Sequence, residues 1–464
     1  MLELGCGDGA NLLALAFYAP GCRFVGLDGS ESHIAQARRV AAEIGVHNVS
    51  FVAADLRDPA EEQLGAEPFD YVLCHGVLSW VPADAQRAIF ERCRTSLAPD
   101  GLACISYNAL PGWRVRGLVR EVLMRAVDPD APPLERARQA KAHAAAIITL
   151  STEAHPYGLL LAREMRLVTQ CRDAYLVHEY LAPHNEAFWL RDLIDRVRGH
   201  GLAYVAESSF NRPDGQPVPT TIEALGSLGL ASLALEETLD VLLYRQFRSS
   251  VLCRESAARH ASHGRDMLER AEVALVLEAR GDPFRLEDGA IETFHGQHGF
   301  QLDASDAALK AALVLLSSRW PAGLDLETLR VEVERLLVGH GLPPPRLDDL
   351  DDLGACALEL YRAGQADVRL TPMGPSQVPE ERPRAHALAR HEARTGKWLT
   401  SKPHVTLPLD AVARSAVLAF DGSRTVDEVV DAVAREHEST PHDALAGQVR
   451  STLQMLARWH CLEG

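Results

Sequence analysis

The stretch Glu3-Leu4-Gly5-Cys6-Gly7-Asp8-Gly9, close to the start of the chain, decides the fold. It places a glycine turn between a short apolar strand, Met1–Leu4, and a helical pattern, Ala10–Ala19. Glycines at such a turn let the backbone approach a ligand closely, and the N-terminus of the following helix favours negative charge. The spacing of two of these glycines and Ala10 also fits the relaxed dinucleotide fingerprint. The turn alone therefore predicts a nucleotide-like cofactor without choosing its class.

Strands and helices alternate after this turn, which predicts an α/β fold with a doubly wound parallel sheet. The next predicted strands are Phe24–Leu27, Val49–Ala53, Phe69–Cys74 and Leu102–Tyr107, and the predicted helices between them are His33–Ile44 and Ala85–Leu97. From Trp113 onward the pattern becomes helical, which predicts an insertion. Leu202–Val205, a proline-rich loop at Asn211–Pro219, a further helix and the strand Phe247–Cys253 follow. These later strands are expected to complete the sheet.

Two small α+β domains are predicted beyond the sheet. Three helical patterns are followed by a strand in the order Ala304–Leu316, Leu324–Val338, Leu347–Tyr361 and Asp367–Leu370. That order predicts a winged-helix-like domain. The last domain of the chain is also predicted to be winged-helix-like. This last domain has a strand at Val405–Leu409, a capping-box pattern at Thr425 and Glu428, and an apolar stripe on its last helix. The stripe consists of Leu445, Val449, Leu453 and Leu456.

The expected domain division follows from these patterns. The sheet domain comprises residues 1–112 and 184–254, the helical regulatory or substrate-cap insertion residues 113–183, the middle domain residues 265–375 and the C-terminal domain residues 385–464.

Composition limits the partners and the compartment. The net charge of −17 argues against nucleic acid, because phosphate binding needs a basic face. We find no apolar run of the ~18 residues that a membrane-spanning helix needs, so no membrane insertion is expected. The nine cysteines are scattered and contain no C-x-x-C pair, which argues against a disulfide framework or a cysteine metal site. These features predict a cytoplasmic protein without a bound metal.

Acidic residues around the glycine turn favour one class of cofactor. Glu3 lies in the strand before the glycines, and Asp8 lies among them. Extra carboxylates repel the pyrophosphate of a dinucleotide, whereas they attract the α-ammonium group of S-adenosylmethionine. Asp28 ends the second strand, where a carboxylate can bind ribose hydroxyls in either class. Asp55 follows the third strand and is placed to accept a hydrogen bond from an adenine amino group. Together these acids favour S-adenosylmethionine.

Longer stretches resemble the successive motifs of class I S-adenosylmethionine-dependent methyltransferases. They read LELGCGDG, FVGLDGS, AADLRD, FDYVLCHGVLSWVP and ISYNALPGW. More narrowly, His75–Pro82 and Ser106–Trp113 resemble bacterial methyltransferases with a methyltransferase regulatory domain, a family that includes the outer-membrane-protein lysine methyltransferases. Cys171–Trp189 resembles the end of the regulatory insertion, and Arg245–Arg254 resembles the closing strand. The similarity runs through the whole chain and is strongest over residues 1–254.

The resemblance implies a cofactor site of eight residues. Those that hold the methionine and ribose parts are Glu3, Gly5, Gly7 and Asp28, and those that hold the adenine are Asp55 and Leu56. His75 and Gly76 end the fourth strand, where the methyl-bearing sulfur is expected to point.

Candidates for the acceptor site lie in the same stretches. The expected walls of the acceptor channel are Trp80, Asn108 and Trp113. The candidates for accepting a proton from the acceptor, or for hydrogen-bonding it, are Tyr107, His178 and Glu179. Tyr107 is also a candidate for the channel wall. His178 and Glu179 are predicted to lie in a loop, where core or capping roles remain open. The HEYLA stretch that contains them lacks the second histidine of a zinc-protease helix, so no metal is expected there.

Two departures from the family pattern bear on function. Met1 falls inside the first predicted strand, whereas the family has helices before it that close over the cofactor. We therefore expect a truncated start with the N-terminal helices missing, which would impair cofactor binding. Ala109 and Leu110 stand where relatives tend to have a polar residue and an aromatic residue, a difference that could change the acceptor preference.

The resemblance implies N-methylation of protein lysine side chains, with a protein or peptide as partner. A small-molecule N- or O-methyltransferase is the second candidate. A non-catalytic scaffold that keeps the sheet, and a dehydrogenase, are alternatives of other classes. The last domain resembles winged-helix modules that hold precursor peptides, which favours a polypeptide substrate. A role of that domain in packing or in forming a homodimer is equally consistent with its sequence.

Overall fold

The structure is a computed structural model. It describes all residues except 59–60, 152–154, 209–231, 259–267, 269, 280–283, 346 and 464. The loop predicted at Asn211–Pro219 lies outside the described residues.

An eight-stranded sheet forms the first half of the chain. Its strands are β1 (Leu2–Leu4), β2 (Phe24–Asp28), β3 (Val49–Ala53), β4 (Phe69–Cys74), β5 (Leu97–Ala109), β6 (Ala187–Phe188), β7 (Leu202–Glu207) and β8 (Phe247–Arg254). Their order is β3-β2-β1-β4-β5-β8-β7, and β6 pairs with β5. The predicted doubly wound sheet is confirmed. It is not wholly parallel, because β8 runs antiparallel to both β5 and β7.

The antiparallel strand has a simple geometric cause. The end of β7 pairs with the start of β8, where Glu207 lies opposite Ser250. The chain therefore enters β8 at the same end of the sheet at which it leaves β7. For this reason the two strands run in opposite directions.

Helices cover the parallel part of the sheet. They are α1 (Ala10–Tyr18), α2 (Glu31–Ile44), α3 (Glu61–Leu64) and α4 (Ala83–Ser96). Ser30 starts α2 by accepting a hydrogen bond from the backbone N–H of His33, and Gly45 ends it in a left-handed conformation. Strands β1 and β2 bury nearly every side chain, as parallel strands covered on both faces do.

The insertion is a helical unit on one end of the sheet. It contains α5 (Gly112–Ala126), α6 (Pro133–Leu150), α7 (Pro156–Gln170) and α8 (Asp173–Glu179). His178 and Glu179 lie in the last turn of α8, so their predicted position in a loop is wrong. The helix forms because Leu176 and Tyr180, four residues apart, are both buried in the core of the insertion. The chain then returns through α9 (Leu190–Arg198) and α10 (Ser232–Leu242).

The middle domain has the predicted three helices and final strand. Its elements are β9 (Glu272–Leu275), β10 (Glu278–Ala279), β11 (Glu292–His295), β12 (Gln301–Ala304), α11 (Ala307–Arg319), α12 (Leu326–Gly339), α13 (Leu347–Arg362) and β13 (Ala366–Arg369). Asp306 and Asp325 cap α11 and α12. Strand β13 pairs with β9, and β10, β11 and β12 form a small sheet that the sequence did not predict.

The C-terminal domain packs four helices and a hairpin around its own core. Its elements are α14 (Ala387–Thr395), β14 (Trp398–Thr400), β15 (Thr406–Pro408), α15 (Ala411–Ala419), α16 (Val426–Glu436) and α17 (His442–Arg458). The capping box at Thr425 and Glu428 is confirmed, and all four stripe residues of α17 are buried. Among the described helices, none combines the length and apolarity needed to cross a membrane.

Candidate active site

The glycine turn has the backbone that only glycine adopts easily. Gly5, Gly7 and Gly9 have φ values of 74°, 57° and 77°. A Cβ on Gly5 would overlap a methyl group of Val77, and one on Gly9 would lie 2.6 Å from the ring of Phe51. Gly7 differs, because a Cβ there would meet nothing within 4 Å. The turn is therefore tightly packed on two sides and open at Gly7.

Asp28 is oriented by the turn itself. Its Oδ2 accepts a hydrogen bond of 2.8 Å from the backbone N–H of Gly7, and its Oδ1 accepts one of 2.9 Å from that of Ser30. The side chain is largely buried at the carboxyl end of β2, with 16% of its surface exposed. A carboxylate fixed in this way has lone pairs left for further hydroxyl donors.

Glu3 is a buried acid with one oxygen unused. Its side chain accepts a hydrogen bond of 3.0 Å at Oε1 from the amide of Asn11, while the residue is only 5% exposed. Among the described residues, Oε2 has no hydrogen-bond partner. Burial raises the pKa of Glu3 to about 7. An unpaired buried carboxylate oxygen is costly, which fits a site built for a cationic group.

Asp55 has a partner that the sequence analysis missed. Arg57 donates to both Asp55 oxygens, at 2.9 and 2.7 Å, and also reaches Asp84 at 2.9 Å. The hydrogen bonds from Arg57 lower the pKa of Asp55 to about 2, so this carboxylate is ionised. Leu56 follows at the same cavity edge, where its carbonyl accepts a hydrogen bond from Arg92.

Two cavities meet beside this turn. The first, of about 450 Å³, is called the turn cavity; it is lined by five of the predicted cofactor residues, Gly5, Gly7, Asp28, Asp55 and Leu56. The second, of about 540 Å³, is called the aromatic cavity; its lining includes His75, Asn108, Trp113 and Glu179. Gly76, Trp80 and His178 line both. The structure thus brings together, around one junction, residues that are far apart in the sequence.

Aromatic rings form much of the second cavity. Trp80 packs edge-on against Trp113, with ring centroids 5.8 Å apart, and lies 4.9 Å from the ring of His178. On the other side, His75 packs against Phe247 at 5.7 Å. Such walls suit a narrow apolar chain that carries a cation at its end.

The arginines that line the aromatic cavity are paired with acids. Arg116 lies 3.5 Å from Glu164, while Arg245 and Arg248 lie 2.6 and 2.8 Å from Asp240, respectively. Their positive charges are therefore largely neutralised within the wall.

Glu207 joins the same group through Arg248, at 2.9 Å. This ion-pair cluster was missed by the sequence analysis. The signal was the pair of arginines in RQFRSSVLCR, three residues apart at the start of the closing strand.

Three titratable groups that line the aromatic cavity have pKa values shifted towards the neutral form. Desolvation at the cavity lowers the pKa of both His75 and His178, so their imidazoles are mainly uncharged at pH 7. Burial raises the pKa of Glu179. Asn108 is 3% exposed, and its side-chain nitrogen has no hydrogen-bond partner among the described residues. The aromatic cavity therefore offers proton acceptors and an unused donor.

Tyr107 does not belong to this group. It is 1% exposed, packs edge-on against Phe188, and forms a hydrogen bond of 3.0 Å between its hydroxyl and Ser250. Neither cavity has it in its lining. Burial also raises the pKa of Tyr107 well above its ordinary value. Tyr107 therefore neither lines the channel nor lies where it could accept a proton from the acceptor. It is a core residue instead.

Three parts of the chain match known families. Residues 2–103 match a family described as "Methyltransferase domain", and residues 172–254 match a "Predicted methyltransferase regulatory domain". Residues 381–456 match "PKMT, C-terminal winged helix domain". The uncharacterized protein RP028 of Rickettsia prowazekii is 33% identical over 199 residues, which cover 43% of this chain and 78% of that protein. The chain belongs to the class I methyltransferases that carry a regulatory domain.

More distant relatives of this methyltransferase extend over nearly its whole length. The uncharacterized protein RP789 of Rickettsia prowazekii is 24% identical over 445 residues, covering 93% of this chain and 78% of that protein. The structure of PKMT2 from Rickettsia typhi is similar to this one, with a TM-score of 0.85 and 23% sequence identity. The aligned region covers 100% of this chain and 93% of the PKMT2 chain. PKMT2 has also been solved in complex with AdoHcy; that structure has a TM-score of 0.85, 22% identity, and coverage of 100% and 94%. These likenesses confirm the overall fold, including both small C-terminal domains.

Family membership settles the class of chemistry. The methyltransferase uses S-adenosylmethionine as its cofactor. The alternative predictions of a dehydrogenase and of a non-catalytic scaffold are therefore wrong. The regulatory-domain match begins at residue 172, near the end of the helical insertion, and runs through α9, β7 and β8. The regulatory region therefore contributes part of the sheet as well as the end of the insertion.

Proposed function

We propose that this methyltransferase methylates lysine side chains of proteins or peptides. The observation that carries the proposal is the junction of the turn cavity with the aromatic cavity at Gly76, Trp80 and His178. The likeness to PKMT2, whose abbreviated name denotes a protein lysine methyltransferase, supports it. The C-terminal winged-helix domain, matched to the same family name, adds support for a polypeptide substrate.

The turn cavity is the proposed cofactor site, and its residues fit S-adenosylmethionine. Glu3 precedes the glycine turn and is not part of the lining of the turn cavity; its unused Oε2 suits the α-ammonium group, and the open side of Gly7 leaves room for the methionine part. Asp28 is placed to accept hydrogen bonds from the ribose hydroxyls, and Asp55 with Leu56 borders the place of the adenine. When bound, the cofactor supplies a methyl group on a positively charged sulfur. His75 and Gly76 are proposed to lie at the methyl-bearing end.

The aromatic cavity is the proposed acceptor site. The aliphatic stem of a lysine is matched by the rings of Trp80 and Trp113, and Asn108 offers a polar contact deeper in the cavity. Because the lining arginines are already paired with acids, Glu179 is the carboxylate available to attract an ammonium group. Acceptor and donor would then be held in line by rigid walls, which is how positioning accelerates a displacement.

An amine acceptor must lose a proton before it can attack, since an ammonium group has no lone pair. The imidazole of His178 lies at the junction and is mainly uncharged at pH 7, so a ring nitrogen can accept that proton. The carboxylate of Glu179, whose pKa is raised by burial, is the second candidate. We propose that these two neighbouring residues share the task of binding and deprotonating the lysine.

We also propose that the protein is located in a reducing compartment, the cytoplasm. All nine cysteines are free thiols, and several are fully buried, which is consistent with a cytoplasmic protein.

The acceptor class is tested directly by mass spectrometry. The enzyme is incubated with S-adenosylmethionine and three acceptors: a lysine-containing peptide, the same peptide with arginine in place of lysine, and free lysine. We expect one or more methyl groups on the lysine peptide, and none on the arginine peptide, because a guanidinium group stays protonated. Methylation of free lysine alone would favour the small-molecule alternative and contradict the proposal.

Cofactor affinity is expected to depend on pH through Glu3. Its pKa of about 7 in the folded protein lies above the ordinary 4.5, so the folded state binds this proton more tightly than the unfolded state. Glu3 therefore favours folding most below pH 4.5, and that contribution is lost as the pH rises to 7. The affinity for adenosylhomocysteine should rise with pH over the same range, because the ammonium group of this ligand needs the ionised form of Glu3.

Calorimetric titrations between pH 5.5 and 8.5 measure this effect. We expect affinity for adenosylhomocysteine to fall by up to about tenfold per pH unit below 7 and to be constant above 8. The control is Glu3→Gln, which should bind more weakly and lose this pH dependence. An unchanged slope in Glu3→Gln would assign the titration to another group.

A further inference from the structure

The C-terminal domain makes a polar contact with Asn11, which is hydrogen-bonded to Glu3 of the proposed cofactor site. The turn between β14 and β15 lies against the first turn of α1. There, Nε2 of His404 is 2.8 Å from Oδ1 of Asn11, and Nδ2 of the same asparagine donates to Oε1 of Glu3 at 3.0 Å. A residue nearly 400 positions away thus reaches the buried acid of the glycine turn through one intervening amide.

The direction of these hydrogen bonds is set by the chemistry of the three groups. A carboxylate only accepts, so the Asn11 amide must offer its NH₂ to Glu3. The carbonyl oxygen of that amide then needs a donor, which Nε2–H of His404 supplies. This arrangement fixes the rotation of Asn11 and occupies Oε1 of Glu3, while Oε2 is the oxygen without a partner among the described residues.

The turn that presents His404 is held firmly in an unfavourable backbone conformation. His404 has a φ of 61°, which non-glycine residues rarely adopt. Ser401 is fully buried at the base of the turn, accepts the backbone N–H of Val405 on its hydroxyl at 3.1 Å, and accepts that of His404 on its carbonyl at 2.8 Å. Backbone strain kept in place by its surroundings is often found where a side chain has to be positioned for function.

Other contacts also hold the C-terminal domain against α1 and α2. Tyr18 of α1 contacts His386 at 2.7 Å and the carbonyl of Thr400 at 3.0 Å. At the neighbouring helix, Glu43 contacts His391 at 3.1 Å and also pairs with Arg394. These contacts hold the C-terminal domain on α1 and α2 independently of the contact at Asn11.

We propose that His404 and Asn11 are positioning residues of the methyl-donor site, so that the docked C-terminal domain contributes to the affinity for the cofactor through this one contact. By holding Asn11 against one oxygen of Glu3, His404 keeps the other oxygen oriented for the α-ammonium group. The inference rests on the cofactor placement given under the proposed function. It makes the winged-helix domain part of the cofactor site in addition to any role with a polypeptide.

Substituting His404 with glycine separates the hydrogen bond from the backbone strain. His404→Gly removes the imidazole but adopts the positive φ easily, so the domain should unfold at the same or a higher temperature. Because His404 is exposed and water can replace part of its contact, we expect affinity for adenosylhomocysteine to fall by only about three- to tenfold. The KM for S-adenosylmethionine should rise by a similar factor, with kcat at saturation unchanged.

A conservative variant and a control variant make the test decisive. His404→Gln places an amide donor at a position similar to Nε2 and should restore most of the affinity. Glu43→Gln removes the ion pair with Arg394 away from Asn11, while Tyr18 still holds the domain on α1, so His404 should stay in contact and the affinity should be unchanged. Wild-type affinity in His404→Gly, no rescue by His404→Gln, or an equal loss in Glu43→Gln would each overturn the proposal.

Glu3→Gln distinguishes this inference from the cofactor placement. If Glu3→Gln binds adenosylhomocysteine as tightly as the wild type, the placement of the α-ammonium group is wrong, and the positioning role with it. If Glu3→Gln binds weakly while His404→Gly binds normally, only the positioning role is wrong. A loss in both, with rescue by His404→Gln, supports both.

Discussion

Replacing Asp28 with alanine is expected to weaken binding of adenosylhomocysteine by about 100- to 1000-fold, because the two proposed charge-assisted hydrogen bonds to ribose hydroxyls would be lost at about 1.5 to 2 kcal/mol each. The carboxylate also holds the backbone N–H groups of Gly7 and Ser30, at 2.8 and 2.9 Å. The variant therefore loses the proposed ligand contact and also the hydrogen bonds that fix the glycine turn. Isothermal titration calorimetry measures the loss.

Asp70→Asn is the matched control for the loss of one negative charge. Asp70 is exposed on β4, and binding to its variant should stay within twofold of the wild type. Thermal unfolding without ligand shows whether Asp28→Ala is folded before its affinity is measured. A folded Asp28→Ala that binds within threefold of the wild type would remove Asp28 from the cofactor site.

Much of the parallel sheet could be predicted from sequence because its strands are short apolar runs that end at distinctive residues. The bounds of β3 and β4 agree with the predicted ones to the residue, and β2 gains only Asp28. The direction of β8 could not be predicted in the same way. The sequence of a strand shows which residues are buried, whereas its direction depends on where the connecting chain re-enters the sheet.

The short strands of the middle domain were missed for a related reason. Strands β10, β11 and β12 contain two to four residues each, too few for an alternating pattern to emerge. They are stabilised by pairing with one another and by packing under α11, whose Lys310 donates to three backbone carbonyls near them. Such contacts become visible only when distant segments are brought together.

The candidate site also has a part that the sequence predicts and a part that only the fold brings together. The glycine turn and Asp28 lie within one short segment, so sequence spacing places them together. The cluster of Glu207, Asp240 and Arg248 comes from three different elements, β7, α10 and β8, and only the fold assembles it.

Tyr107 was misplaced although strand periodicity could have placed it. Alternate residues of a strand face opposite sides. Ser106 accepts the backbone N–H of Gly76, and Asn108 lines the aromatic cavity, so Tyr107 between them faces the other side of the sheet.

Glu179→Gln is expected to lower kcat/KM for a lysine peptide by about 100-fold, which corresponds to about 2.7 kcal/mol for a charged hydrogen bond lost in a desolvated site. The neighbouring arginines cannot take over its role, because Arg116 and Arg245 carry the same sign as the ammonium group and already pair with other acids. Since Glu179 lines only the aromatic cavity of the two, affinity for adenosylhomocysteine should change by less than about twofold.

Glu121→Gln provides the matched control, because Glu121 is exposed on α5 and pairs only with Arg125 among the described residues. Its kcat/KM should equal that of the wild type. Initial rates at saturating S-adenosylmethionine, measured against a range of peptide concentrations, separate a rise in KM from a fall in kcat. A rise in KM alone assigns Glu179 to binding of the ammonium group, and a fall in kcat assigns it to proton removal. Unchanged kinetics in Glu179→Gln, with full activity in the control, would place the acceptor outside the aromatic cavity.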